Sequence, residues 1–390
     1  MKDISKQNGN YLSWLNGLKG IACMGVFLHH FFLANRNGAV FGPLINPETA
    51  TPREIFLSTN TAGFFLNGSY HVCVFLLVSA FLLARQVFLL TAKEENITEK
   101  LSGIVIKRYF RLLIPVGFFC LLNWFLIKGL TATGLNYVHK TTELTFIQLL
   151  SHIFVRVWTL PDTEMIGPLW MMTYLFVGSF IAIITALMAG KERKHMWIIY
   201  LVATAFFFHS NPFYFVSMLG VDIAYLTERT GLIGRIEKGA KPLVIILGVI
   251  LLALSVILGG YPTYYISDNF YKYFNKLREN IANFYVVMHG LGAFCLVLSV
   301  YFLKPFAQFL SLKVFRFLGD ISMGIYLIHI MVIEYFGYFF LDVLKQKMAF
   351  IPAFWVAFLV VCVITLLLAW CSKNTIEKWG EKLIKRMFAK

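Results

Sequence analysis

Apolar residues in this chain fall into long unbroken blocks. The segments Ile55–Ala84, Met165–Gly190, His195–Val221, Pro242–Ser267, Asn280–Leu303 and Met348–Ser372 contain no Asp, Glu, Lys or Arg. Each reaches the roughly 20 residues that a helix needs to cross about 30 Å of hydrocarbon. One such block would fit a buried core helix. Six in one chain predict a polytopic helical membrane protein, and the shorter alternating segments of a membrane β-barrel are missing. The expected spans are 16–35, 66–88, 110–128, 167–189, 195–209, 212–227, 242–259, 282–303, 317–340 and 350–371, ten in all. The fifth and sixth are short and divided by His209-Ser210-Asn211-Pro212, which reads as a tight outer turn. The segment 145–158 is amphipathic and ends before Pro161, so it is expected to lie at the interface or to re-enter.

The predicted fold class is therefore all-α: a polytopic transmembrane helical bundle of about ten spans. A single integral-membrane domain over 1–390 with short tails is expected. No cleavage pattern follows the first apolar run, so that run is expected to remain as a span. No internal duplication is evident, which weakens an inverted-repeat transporter.

Composition agrees with this pattern. Apolar residues make up 58% of the 390, and charged residues only 14%, against about 25% in soluble domains. Disorder is excluded by the same numbers, and six Cys are too few for a disulfide scaffold. The net charge of +15 raises the question of nucleic acid, and the placement of the charges answers it. With the N-terminus inside, 25 of the 35 Lys and Arg residues fall on the inner side. They include Lys2, Lys6, Lys93, Lys191, Arg193 and Lys194. This positive-inside bias predicts that both termini are cytoplasmic. The charge is then a collar facing anionic membrane lipids, and no nucleic-acid partner is expected.

Polar groups within the apolar blocks carry the candidate chemistry. His29 and His30 lie in the first span and point about 100° apart, so they cannot serve one site equally. A buried imidazole is read either as a structural hydrogen-bonding group or as a general base. Arg108 and Arg111 sit at the inner start of the third span on one helix face. They read as topology signals or as a phosphate clamp. Lys19 precedes His30 by eleven residues, about 16 Å along a helix. A cation near the surface and an imidazole deeper in the bundle suit a long ligand with a charged head, such as acyl coenzyme A.

His71, His209, His289, Asp222, Asp320 and Glu334 read mainly as structural or interfacial groups. No metal is predicted, because no His-Glu-x-x-His motif or clustered Cys/His spacing occurs. No Walker A loop, dinucleotide fingerprint or Gly-x-Ser-x-Gly elbow is present.

Several of these segments together resemble the integral-membrane acyltransferase 3 family. Leu15-Asn-Gly-Leu-Lys-Gly-Ile-Ala22 followed by His30 is similar to the family's Leu-Asp-Gly-Leu-Arg-Gly-Ile-Ala and its downstream His. Asn16 stands in place of the usual Asp, and Lys19 in place of the usual Arg. Leu77–Leu83, Arg108-Tyr-Phe-Arg111 with Pro115, and Phe317–His329 resemble three further family segments, and Glu377 resembles the Glu after the last span. Pro168-Leu169-Trp170 departs from the sugar-modifying members, because no Ser and acidic pair follow it.

The resemblance implies a multi-pass O-acyltransferase of a bacterial-type cytoplasmic (plasma) membrane. It implies His30 as the catalytic residue, with Arg108, Arg111 and Lys19 holding a cytoplasmic acyl-CoA donor. Acetyl-CoA is the default donor, and an extracytoplasmic glycan or glycolipid the acceptor. Tyr326 and His329, and His29 beside His30, are secondary candidates by position. On the outer side, Tyr261, Tyr264 and Tyr265 read as sugar-stacking groups or as an interfacial aromatic belt. Lys272, Lys276 and Arg278 read as ordinary outer-side charges first, and only secondarily as receivers of an anionic polymer or lipid phosphate. The competing classes are a transporter or flippase for a lipid-linked glycan or small solute, and a structural membrane partner.

Overall fold

The computed structural model describes residues 12–36, 38–41, 51–92, 97–133, 144–188, 195–264 and 270–387. Lys2, Lys6, Lys93, Lys191, Arg193, Lys194 and Tyr265 lie outside the described residues. All regular structure among the described residues is helical. The main helices are α1 (Ser13–Asn35), α2 (Gly68–Thr91), α3 (Ile97–Ala132), α4 (Phe146–Thr159), α5 (Gly167–Met188) and α6 (Met196–Ser210). They continue with α7 (Pro212–Ala224), α8 (Lys241–Gly259), α9 (Phe284–Phe302), α10 (Lys313–Asp320), α11 (Ser322–Lys345) and α12 (Phe350–Met387).

Eight of the ten predicted spans are helices long and apolar enough to cross a membrane. The other two, α6 and α7, are shorter, although α7 continues through a π turn over Tyr225–Arg229. The turn between them is sharp for a local reason. Asn211 is extended, its side chain accepts the N–H of Phe213, and Pro212 supplies a fixed φ at the first helical position. The span predicted over 317–340 starts later than expected, at Ser322. Residues 313–320 form the separate helix α10, and Ile321 breaks the register between the two.

The packing divides the chain into two compact units. Unit 1 comprises residues 1–97 and 178–319. In it α2 is the central helix, packing against α1, α7 and α9, while α8 packs on α9. Glycines let α1 approach its neighbours closely. A Cβ on Gly17 would fall 1.9 Å from the Leu310 carbonyl oxygen, and one on Gly20 would fall 2.6 Å from the Gly319 nitrogen. The Asn16 side chain donates to the Arg316 carbonyl at 2.9 Å. The glycine-rich opening motif is thus a packing surface for the short helix Lys304–Leu310 and for α10.

Unit 2 comprises residues 98–177 and 320–390, with α11 packed on α12. Tyr335 donates to Asn123 Oδ1 at 2.7 Å, and Asn123 Nδ2 donates to the Met165 carbonyl at 2.5 Å, which ties α11, α3 and the segment before α5 together. The 14-residue apolar helix α4 is capped by a Thr145–Gln148 box.

Candidate active site

Lys19, His29 and His30 belong to unit 1, whereas Arg108, Arg111, Tyr326 and His329 belong to unit 2. On α1 the two histidine rings stand edge to face with centroids 5.0 Å apart. Each ring is oriented by a backbone carbonyl. His29 Nδ1 lies 2.6 Å from the Leu66 carbonyl, and His30 Nδ1 lies 3.1 Å from the Val26 carbonyl one turn earlier. A carbonyl can only accept, so Nδ1 carries the hydrogen in both rings and each neutral ring has its lone pair on Nε2. His30 therefore presents Nε2 as its basic atom. The ring of His29 is packed where Gly68 leaves room, since a Cβ there would fall 2.6 Å from it. The same fit recurs at Gly25, whose missing Cβ is replaced by the His71 ring.

Buried polar groups continue from this point within unit 1. His71 Nε2 meets the Phe65 carbonyl at 3.3 Å. The fully buried His289 donates from Nε2 to the Tyr261 carbonyl at 2.8 Å. Asn67 donates to the carbonyls of Gly259 and Tyr261 at 2.9 and 3.0 Å. Asn67 was not singled out by the sequence, because a lone Asn before a span gives no signal of the two distant carbonyls it joins.

In unit 2, α3 carries both arginines. Arg108 is half-buried and Arg111 is exposed. Pro115 sits four residues after Arg111 inside the helix and removes the N–H that would otherwise donate to the Arg111 carbonyl. A guanidinium nitrogen of Arg111 is 4.0 Å from Glu381 on α12, and Lys373 is 3.5 Å from the same carboxylate. Glu377 instead pairs with Lys373 at 3.0 Å. The acidic residue that meets Arg111 is thus Glu381, one turn beyond the residue singled out from the family pattern.

Tyr326 and His329 are both buried on α11, with ring centroids 5.9 Å apart. The Tyr326 hydroxyl donates to the Pro168 carbonyl at 2.6 Å, so its one proton anchors the Pro168-Leu169-Trp170 segment. His329 Nδ1 meets the Ile325 carbonyl at 3.0 Å, the same intrahelical pattern as His30.

The outer aromatic residues differ from expectation. Tyr261 is fully buried and packs edge-on against Tyr271 and Phe284, so it is a core residue and cannot stack on a sugar. Tyr264 is 40% exposed. The Arg278 guanidinium donates to the carbonyls of Pro262, Thr263 and Tyr264 at 3.1–3.2 Å, which makes it a loop clamp.

Apolar helices of spanning length and an imidazole oriented inside the first of them define a multi-pass membrane protein with a candidate proton-transfer group. The chain belongs to the acyltransferase 3 family, whose acyltransferase domain model matches residues 12–372. The chain is also similar to the O-acetyltransferase PaAT-1 of Phomopsis amygdali, at 32% identity over 122 residues. That match covers 29% of this chain and 23% of the relative's length. No solved structure matches.

Proposed function

We propose that this protein is a membrane O-acyltransferase that moves an acetyl group from cytoplasmic acetyl-CoA to a hydroxyl of an extracytoplasmic glycan or glycolipid. We place it as a single multi-pass domain in a bacterial-type plasma membrane, with both termini cytoplasmic. The observation that carries this reading is the orientation of His30. Its Nδ1–H is held by Val26, which makes Nε2 the basic ring nitrogen within a spanning helix of an acyltransferase-family chain.

In the proposed reaction, the acceptor hydroxyl oxygen attacks the thioester carbonyl carbon while His30 Nε2 takes the hydroxyl proton. The new C–O bond forms, the tetrahedral intermediate collapses and the C–S bond breaks. The proton passes from His30 to the departing CoA sulfur. Arg108 and Arg111 hold the phosphates of the donor, since guanidinium forks suit those oxygens, and the family pattern gives Lys19 a donor-binding role of its own. His29 positions its neighbour. Tyr326 and His329 have a supporting role, since the Tyr326 hydroxyl is engaged by Pro168.

The test is incubation of the purified protein with labelled acetyl-CoA and a panel of surface glycans. Transfer by the wild type and its loss in H30A, with CoA binding retained, is the expected result. Glycan movement across a vesicle membrane without CoA consumption would replace this reading with a transporter.

A further inference from the structure

Unit 2 contains a second polar cluster that the proposed reaction does not use. Helix α4 passes into a π turn over His152–Arg156, an insertion that redirects side chains and is frequent at functional sites. The His152 side chain is 1% exposed, yet neither of its ring nitrogens has a hydrogen-bond partner among the described residues. Leaving a buried polar group unmatched is costly, so a partner is expected at this place. Its Nδ1 points at Asp162, with Oδ2 3.8 Å away. Asp162 is buried as well, and its Oδ1 accepts the Glu164 N–H at 2.7 Å, which fixes the turn between the two acids. One ligand atom each from His152, Asp162 and Glu164 can be chosen so that all lie within 4.8 Å of one another.

The geometry points to a divalent cation site of the zinc class formed by His152, Asp162 and Glu164. One imidazole nitrogen and two carboxylate oxygens are ligands that zinc takes, at about 2.0–2.2 Å, with a water completing the tetrahedron. The two carboxylates balance a dication. Ligand separations must shrink somewhat for such bonds, and exposed Glu164 can supply that movement.

At present the carboxylates are bridged by Arg156. Its Nε pairs with Asp162, and its Nη1 is 3.2 Å from Glu164. The Arg156 side chain is 50% exposed, so it can swing outward and yield its place to the metal. Arg156 is therefore a competitor for the site. Binding would clamp α4 to the turn that leads into α5.

The test uses the full-length purified protein, stripped with a chelator and titrated with zinc by calorimetry, with metal content measured after dialysis. One equivalent per chain is expected in the wild type. E164Q, at an exposed position that leaves the fold intact, is expected to bind at least tenfold more weakly, as are H152A and D162N. R156A is expected to bind at least as tightly as the wild type. Absence of a stoichiometric zinc in both the wild type and R156A would overturn the assignment. Wild-type affinity in E164Q, or weaker binding in R156A, would overturn it too.

Discussion

The imidazole of His30 and the carbonyl of Val26 form a hydrogen bond of 3.1 Å within α1. The bond fixes both the tautomer and the direction of the ring, so Nε2 is its basic nitrogen and the atom that the proposed proton transfer would use. Replacing His30 with Ala is expected to lower the transfer rate by about 10²–10⁴-fold, the usual contribution of a positioned general base. The ring is only half-buried, so the melting temperature is expected to stay near that of the wild type. Labelled acetyl transfer in purified membranes, read beside a thermal melt in detergent, separates the two effects. A wild-type rate in H30A would remove His30 from the reaction.

Arg111 gives a second prediction through its partner. The pair with Glu381 is long, and the two side chains are 69% and 39% exposed, so the contact itself is worth about 0–1 kcal/mol. In the proposed reaction it competes with a donor phosphate for the same guanidinium. E381Q is expected to leave the melting temperature unchanged and to lower the KM for acetyl-CoA by up to about fivefold. R111A is expected to raise that KM while sparing the fold. A raised KM in E381Q would mean that Glu381 holds Arg111 in place for the donor.

Gly17 and Gly103 are both helical glycines with opposite surroundings. A Cβ on Gly17 would overlap the Leu310 carbonyl, whereas one on Gly103 meets nothing within 4 Å. G17A is therefore expected to cost about 1–3 kcal/mol, because backbone must move to admit the methyl. G103A is expected to stabilise α3 by up to about 1 kcal/mol through helix propensity. Thermal midpoints of the two variants in one detergent check the pair, and equal shifts would contradict it.

These contrasts show which features the sequence made legible. Spans were readable because hydrocarbon selects for length and apolarity, properties visible one residue at a time. The family segments led to Lys19, His30, Arg108 and Arg111, but they did not separate chemistry from packing. Gly17 and Gly20 in the same motif are there for the close approach of the Leu310 and Gly319 backbone. Tyr261 looked like an outer aromatic because it follows a span, and only the tertiary fold buries it beneath Tyr271 and Phe284. Asn67, Glu381 and His152 were missed for a related reason. Asn67 joins distant carbonyls, Glu381 meets a cation on a neighbouring helix and His152 faces a carboxylate beyond a turn, and none of these leaves a fixed spacing in the chain.

Glu54 predicts a pH dependence of stability outside the spans. It sits in the short helix Pro52–Thr59, where Thr51 and Glu54 form a reciprocal cap, and Arg36 donates to its carboxylate at 2.7 Å. Burial alone would raise the carboxyl pKa, but the Thr51 N–H, the Arg36 guanidinium and the Thr51 hydroxyl together hold it below its ordinary value of 4.5. A carboxylate depressed in the folded state contributes stability that is present above the unfolded pKa and is lost as the pH falls through the folded one. The wild type is therefore expected to melt above E54Q at neutral pH, where Gln cannot balance Arg36. The two melting curves are expected to converge as the pH falls below the ordinary carboxyl range, where the native carboxylate takes up its proton. Thermal melts of both proteins across that range measure the difference directly. A gap that stays constant into acid would assign the contribution of Glu54 to packing and not to its charge.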